Sequence, residues 1–89
     1  VDILVNNASV TERANLNSIT DSQWNSVIDT NLKGTFLCSQ IFGTKLQEQG
    51  SGSIINISST AAIRPFPVSH HYVSSKSGIT GLTKALALT

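Results

Sequence analysis

Residues 52–59 read GSIINISS, and this stretch decides the fold. Residues 53–57, SIINI, carry three isoleucines, follow a glycine and lead into two serines, which predicts a short β-strand. A second run of large aliphatic residues, ILV at residues 3–5, ends at Asn6 and Asn7. Because that run is continuous rather than alternating, it favours a strand covered on both faces, as in a parallel sheet.

The segment between these two strands predicts a helix. Thr20 and Gln23 have the spacing of a capping box, which begins a helix. Side chains that recur at helical spacing after this cap are Trp24, Val27, Ile28, Leu32, Thr35 and Phe36. We expect the helix to run to about Gln49, where the GSG of residues 50–52 ends it.

A last helix is predicted from about Tyr72 to the end of the chain, after a loop at residues 60–69 that contains two prolines. Its apolar residues Ile79, Leu82 and Leu86 form a stripe that suits either a core or a subunit interface. The order strand, helix, strand, helix is typical of the α/β class with parallel strands.

The composition excludes several kinds of partner. Six Lys and Arg stand against five Asp and Glu, so the net charge of +1 gives no basic surface for nucleic acid. No apolar run reaches the ~18 residues of a membrane span. The single cysteine, Cys38, excludes an intrachain disulfide framework and is expected in the core. The adjacent His70 and His71 should point apart, so we expect no metal site. With no signal segment at its start, the protein is expected in the cytoplasm.

The chain holds no methionine, opens directly on an apolar run and stops on ALALT without a helix-ending Gly or Pro. Both ends are therefore expected to cut through secondary structure. We interpret residues 1–89 as an interior part of one larger domain.

Tyr72 and Lys76 are the sharpest candidate for chemistry. Side chains four residues apart on a helix lie on the same face. A lysine ammonium there favours the ionised form of the phenol, and a tyrosine so tuned can act as a general acid or base. The alternative interpretation is an exposed tyrosine beside an exposed lysine.

Polar residues also follow both predicted strands. Ser59 comes after the second strand, where ligands of open α/β sheets bind, although serine is also common in turns. Asn6, Asn7 and Ala8 end the first strand, where they could bind a ligand, tie neighbouring strands together or form a simple turn.

Asn31 falls on the apolar stripe of the first helix, three residues after Ile28. A buried amide is costly unless it is hydrogen-bonded. Two interpretations stay open: Asn31 binds a water or backbone groups at a kink, or the helix is rotated and Asn31 is exposed.

Taken in order, these residues resemble the short-chain dehydrogenase/reductase family. The matching elements are NNA at residues 6–8, Asn31, Ser59, Tyr72 and Lys76. The phrases WNSVIDTNLKGTF at residues 24–36 and GSIINISS also resemble the family. Ser9 departs from the glycine that the family most often has there.

The resemblance implies a doubly wound Rossmann sheet that binds NAD or NADP, of which these residues would be one part. It implies hydride transfer between the nicotinamide and an alcohol or carbonyl carbon. Tyr72 would be the acid/base, and Lys76 would assist it and hydrogen-bond the nicotinamide ribose. Ser59, with Ser58 as the alternative, would hold the substrate oxygen.

Further roles come from the same resemblance. Asn31 would hold a water that links Lys76 to a proton relay. Asn6, Asn7 and Ala8 would shape the adenine side of the cofactor site and brace the sheet. The two helices would pack across a two-fold axis, which implies a homodimer or homotetramer.

The resemblance also shows what these residues lack. The family's Gly-rich phosphate loop, the residue that selects NAD or NADP and the C-terminal substrate region have no counterpart here. We therefore expect the 89 residues alone to be inactive. The phrases are similar to those of glucose 1-dehydrogenases and of 3-oxoacyl-carrier-protein reductases, so a sugar and a 3-oxoacyl substrate both stay open. A non-catalytic dinucleotide-binding relative is the alternative, but it would be expected to lose Tyr72 or Lys76.

Overall fold

The computed structural model describes residues 2–89. Its main elements, in chain order, are β1 (Ile3–Asn6), α1 (Asp21–Ile28), a π-helical segment (Asp29–Lys33), α2 (Gly34–Gln49), β2 (Ser53–Asn56) and α3 (His70–Ala87). Short 3₁₀ turns lie at Leu16–Ser18 and Thr60–Ala62. The predicted α/β order is confirmed, and α3 begins two residues earlier than expected.

The two strands pair in parallel, with Ile3 opposite Ser53 and Asn6 opposite Asn56. The register partners Leu4 and Ile54 are half-buried, and α2 packs on both strands. The aliphatic residues next to them are exposed, namely Ile3, Val5 and Ile55. The expected cover on both faces is therefore not present within residues 2–89, which cover one face of the sheet.

The ends of the long helical segment follow the predicted signals. The Gln23 N–H donates to Thr20 Oγ1 at 3.1 Å, and the Thr20 N–H donates to Gln23 Oε1 at 3.0 Å, which completes the capping box. At the other end, Gly50 adopts the left-handed conformation (φ 79°, ψ 5°), which suits a residue without a Cβ.

The expectation of one uninterrupted helix is wrong in its middle. In the π-helical segment Asp29–Lys33, the Gly34 N–H donates to the Asp29 carbonyl, five residues back instead of four. The buried face then follows Val27, Asn31 and Thr35. Two large aromatic side chains that were expected on this face, Trp24 and Phe36, are 40% and 42% exposed.

Cys38 is exposed, which corrects its predicted place in the core. In its first half α2 buries Thr35 and Ser39, which lie four residues apart, and further along it buries Leu46. Cys38 directly precedes Ser39, so it lies about 100° around the helix from that buried face.

The core combines few apolar with many polar side chains. Its apolar members are Val27, Leu46, Ala61 and Ile79. Fully buried polar side chains lie among them, including Asn31, His71 and Ser75, each with 0% exposure. Such groups need hydrogen-bond partners, so the interior of this chain is ordered by specific polar contacts as well as by packing. Of the α3 stripe, Ile79 is in this core, while Leu82 and Leu86 are half-buried.

Candidate active site

The carboxyl ends of β1 and β2 lie side by side because the strands are parallel. Asn6, the last residue of β1, is 9% exposed, and its Nδ2 donates to Asn56 Oδ1 at 2.8 Å and to Ser39 Oγ at 3.2 Å. The Asn56 Nδ2 donates in turn to Thr83 Oγ1 at 2.9 Å. These contacts brace both strands against α2 and α3. Of the alternatives for Asn6, its side chain thus ties the strands together.

Asn7 and Ala8, which follow Asn6 in the predicted cofactor segment 6–8, are exposed just past the end of β1. Their side chains are therefore accessible at the sheet edge where ligands of this fold class bind.

Tyr72 and Lys76 lie one turn apart on α3, as the spacing predicts. The Lys76 Nζ is 5.8 Å from the centroid of the Tyr72 ring, within the range of a cation–π contact. Lys76 is only 3% exposed, and its Nζ donates to the Ile57 carbonyl at 3.2 Å. The ammonium is thereby fixed beside the carboxyl end of β2. Since an ammonium has three N–H donors, two remain for other acceptors.

Ser58 and Ser59 use their hydroxyl groups in different ways. Ser58 Oγ donates to the Lys76 carbonyl at 3.1 Å, so its proton is engaged. Ser59 Oγ accepts the Ala61 N–H at 3.2 Å and caps the 3₁₀ turn that packs against α3. The Ser59 proton is free to be donated to a ligand, which favours Ser59 over Ser58 as a substrate-binding hydroxyl.

Asn31 lies in the π-helical segment, is fully buried and binds backbone groups of Val10 in the loop after β1, which decides between its two interpretations. Its Oδ1 accepts the Val10 N–H at 2.7 Å, and its Nδ2 donates to the Val10 carbonyl at 2.8 Å and to Ser75 Oγ at 3.1 Å. Both amide N–H groups are therefore used. The predicted water at Asn31 would have to bind the second lone pair of Oδ1 or the backbone.

Ser75 connects Asn31 to Tyr72. Its hydroxyl accepts from Asn31 and donates to the Tyr72 carbonyl at 2.7 Å. On the other side of Tyr72, its backbone N–H donates to His71 Nδ1 at 3.0 Å. The peptide groups on both sides of Tyr72 are thus held by side chains.

Sequence reasoning missed both of these partners of Tyr72. A signal existed for Ser75, because it lies four residues before Ile79 on the buried stripe of α3, as Asn31 lies on that of the first helix. No comparable signal existed for His71, which was considered only as a metal ligand. Within residues 2–89, no group of three or more His, Cys, Asp or Glu side chains could hold a metal ion.

A groove of about 500 Å³ opens between α2 and α3, towards the amino end of β2. Its lining includes Leu46, Ile54 and Leu86, and none of the candidate catalytic side chains. The convergence of Tyr72, Lys76 and the strand ends, rather than this groove, therefore marks the candidate site.

Comparison with known proteins identifies the family of the chain. A family model described as short chain dehydrogenase matches residues 1–89. The chain belongs to the short-chain dehydrogenase family. It is 47% identical over 87 residues to an acetoacetyl-CoA reductase from Acinetobacter sp. (strain RA3849), covering 98% of this chain and 35% of that protein. It is 44% identical over 87 residues to a 3-oxoacyl-[acyl-carrier-protein] reductase from Staphylococcus epidermidis, covering 98% of this chain and 36% of that protein.

Solved structures of the short-chain dehydrogenase family share the fold. A short chain dehydrogenase from Bacillus anthracis superimposes with a TM-score of 0.93 at 39% identity, over 99% of this chain and 37% of that one. A short-chain alcohol dehydrogenase from Sinorhizobium meliloti 1021 gives a TM-score of 0.96 at 36% identity, over 99% of this chain and 35% of that one. The chain thus spans about a third of the length of these relatives.

Among the helices of residues 2–89, none combines the length and the hydropathy of a membrane-spanning segment.

Proposed function

We propose that the native protein, the full product of its gene, is an NAD(P)-dependent oxidoreductase that interconverts an alcohol and a carbonyl by hydride transfer. Tyr72 is its acid/base. The observation that carries this proposal is the fixed pair of Tyr72 and Lys76 beside the carboxyl end of β2, with the Lys76 Nζ 5.8 Å from the tyrosine ring centroid.

The residues present fit the nicotinamide half of the cofactor. Lys76 offers two free N–H donors on a buried ammonium, a set that suits the neighbouring hydroxyl oxygens of a ribose. Asn7 and Ala8 are exposed at the neighbouring strand end, where they can contact the dinucleotide. NAD and NADP fit these residues equally well.

In the direction of reduction, the Ser59 hydroxyl keeps its proton and donates a hydrogen bond to the substrate carbonyl oxygen, which orients that oxygen. A nicotinamide held by Lys76 would supply the hydride. As negative charge develops on the substrate oxygen, Tyr72 donates its phenolic proton to it. The Lys76 ammonium stabilises the phenolate that remains, because opposite charges attract. Oxidation of the alcohol runs through the same groups in reverse.

We favour a 3-oxoacyl thioester as the substrate. The names of the Acinetobacter and Staphylococcus relatives, an acetoacetyl-CoA reductase and a 3-oxoacyl-[acyl-carrier-protein] reductase, support this class. Glucose is the competing substrate. The test for the native protein is oxidation of NADH or NADPH in the presence of acetoacetyl-CoA, compared with reduction of NAD or NADP in the presence of glucose. Turnover of acetoacetyl-CoA supports the thioester class, and turnover of glucose alone contradicts it.

The catalytic assignment is tested with Tyr72→Phe in the native protein. We expect turnover to fall by roughly 10²-fold or more, because the proton donor is lost, while dinucleotide binding measured by fluorescence stays within a few-fold. Turnover at the original rate would exclude Tyr72 as the acid/base. A native protein that binds dinucleotide and turns over no carbonyl or alcohol would favour the non-catalytic alternative.

Ser59→Ala and Ser58→Ala form a matched pair of adjacent substitutions. We expect Ser59→Ala to cause the larger loss of kcat, because the Ser59 hydroxyl proton is free for the substrate. Ser58→Ala removes only a contact to the Lys76 carbonyl. A larger loss of kcat in Ser58→Ala would assign the substrate contact to Ser58, and equal losses would contradict the preference for Ser59.

A homodimer or homotetramer and a cytoplasmic location stay predictions. Three exposed apolar side chains on α2, Phe36, Leu37 and Ile41, support association through this helix. Light scattering on the native protein measures its oligomeric state, and a monomer at micromolar concentration would contradict the predicted association.

A further inference from the structure

The helix that carries Tyr72 begins without the usual side-chain cap. The first N–H groups of a helix have no acceptor within it, and a serine at the cap position often bonds the third of them with its hydroxyl. Here the cap residue is Ser69, and its side chain makes no such bond. Tyr72 is the third helical residue, so its N–H needs another acceptor.

Ser69 is engaged elsewhere. Its hydroxyl accepts the Ala14 N–H at 3.3 Å and contacts the Glu12 carbonyl at 3.4 Å, and its own N–H donates to the Ala14 carbonyl at 2.7 Å. Ser69 is buried in the left-handed region (φ 55°, ψ 49°), which is uncommon for a residue with a Cβ. It therefore joins the loop after β1 to α3 instead of capping the helix.

His71 provides the missing acceptor. Its Nδ1 accepts the Tyr72 N–H at 3.0 Å, and the ring is 0% exposed. Since Nδ1 accepts, the proton of the neutral imidazole is on Nε2. That Nε2 is buried and finds no partner within residues 2–89.

We propose that His71 is a positioning residue for Tyr72. By accepting the Tyr72 N–H, it fixes the first turn of α3 and with it the direction in which the phenol leaves the helix. Ser75 holds the Tyr72 carbonyl on the other side, so the two contacts together define the peptide geometry of this residue. This inference rests on the proposed function, in which Tyr72 is the acid/base.

The test uses two substitutions in the native protein, His71→Asn and His71→Leu, whose side chains have the same branching and the same number of heavy atoms. The asparagine Oδ1 is attached to Cγ as the histidine Nδ1 is, so it can accept the same N–H, whereas leucine offers no acceptor. We expect His71→Asn to keep kcat within about threefold. We expect His71→Leu to lower kcat by roughly 10- to 100-fold with little change in KM for the dinucleotide, because a small misplacement of a catalytic group has effects of this size.

Two further measurements separate positioning from general damage. Amide hydrogen exchange at Tyr72 should be slow in the native protein and in His71→Asn, and faster in His71→Leu. In a Tyr72→Phe background, His71→Leu should have little further effect on the residual rate, because no phenol remains to be positioned. If His71→Leu does not fold, His71→Gln replaces it, since its amide oxygen lies one methylene further out.

The outcomes distinguish this inference from the proposed function. If Tyr72→Phe keeps full turnover, the proposed function fails and the positioning role fails with it. If Tyr72→Phe abolishes turnover and the two His71 variants have equal kcat, only the inference is overturned. A loss in His71→Leu that is just as large in the Tyr72→Phe background also overturns it.

Discussion

Asn31 and Ser75 lie on different helical segments, and the Asn31 Nδ2 donates a hydrogen bond to Ser75 Oγ at 3.1 Å with both side chains fully buried. Asn31 also bonds both backbone groups of Val10, and Ser75 bonds the Tyr72 carbonyl. The loop after β1, the π-helical segment and the helix of the proposed acid/base are therefore joined through one amide.

Asn31→Leu is expected to lower the free energy of unfolding of the native protein by about 3 kcal/mol. The substitution removes three hydrogen bonds, two to the Val10 backbone and one to Ser75, and each contributes about 1 kcal/mol. Chemical denaturation measures this change, and amide exchange at Val10 should become faster. Asn25→Leu, at an exposed position of α1, is the matched control and should change stability by less than about 0.5 kcal/mol. Equal effects of both substitutions would contradict the bridging role.

The sequence predicts that Asn31 is unusual, but not how it is accommodated. A polar residue on an apolar stripe indicates either a specific buried contact or a rotated helix, and the structure shows the buried contact. The π-helical segment Asp29–Lys33 has no local signal, because an i to i−5 hydrogen bond is selected by packing between elements rather than by propensity. The buried face of α2, and with it the exposure of Cys38, follows from that packing.

The pair Asn6 and Asn56 should show direct energetic coupling. Because the Asn6 Nδ2 donates to Asn56 Oδ1 at 2.8 Å, each alanine substitution should remove this hydrogen bond, and the double substitution should remove it only once. We expect a coupling of about 1 kcal/mol in a double-mutant cycle measured by denaturation of the native protein. Strictly additive effects would show that the brace contributes nothing to stability.

Gly52→Ala and Gly81→Ala are the same substitution, but we expect the first to destabilise the native protein and the second to stabilise it. A Cβ on Gly52 would lie 2.5 Å from Leu46 Cδ2 and 3.0 Å from the Asp2 carbonyl oxygen, and its φ of 146° is strained for alanine. We expect a loss of about 2–4 kcal/mol. A Cβ on Gly81, in the interior of α3, meets nothing within 4 Å among residues 2–89, so Gly81→Ala should stabilise by up to about 1 kcal/mol. Thermal unfolding of the two variants compares their stabilities. A Gly52→Ala protein more stable than Gly81→Ala would contradict the close contact between Gly52 and Leu46 of α2.

In the candidate site, as in the fold, features set by local spacing are predictable from the sequence, and features set by long-range contacts are not. Tyr72 and Lys76 are predictable because a fixed helical spacing places them on one face. Ser69, a typical capping residue, instead bonds a loop 55 positions away. Because that long-range contact leaves the helix uncapped, the bond between His71 and Tyr72 cannot be inferred from local pattern alone.

Lys76→Met separates function from stability most sharply. A buried ammonium is costly to desolvate, so replacing Lys76 with an apolar side chain of similar length should leave the free energy of unfolding unchanged or raise it. The same change removes the cation that faces the Tyr72 ring and the donors available to the ribose. We therefore expect kcat of the native protein to fall by roughly 10²-fold or more and the dinucleotide to bind more weakly. Lys84→Met, on the exposed last part of α3, is the control and should retain both properties. A Lys76→Met protein that unfolds more easily while keeping its turnover would show that Lys76 serves the fold and not the reaction.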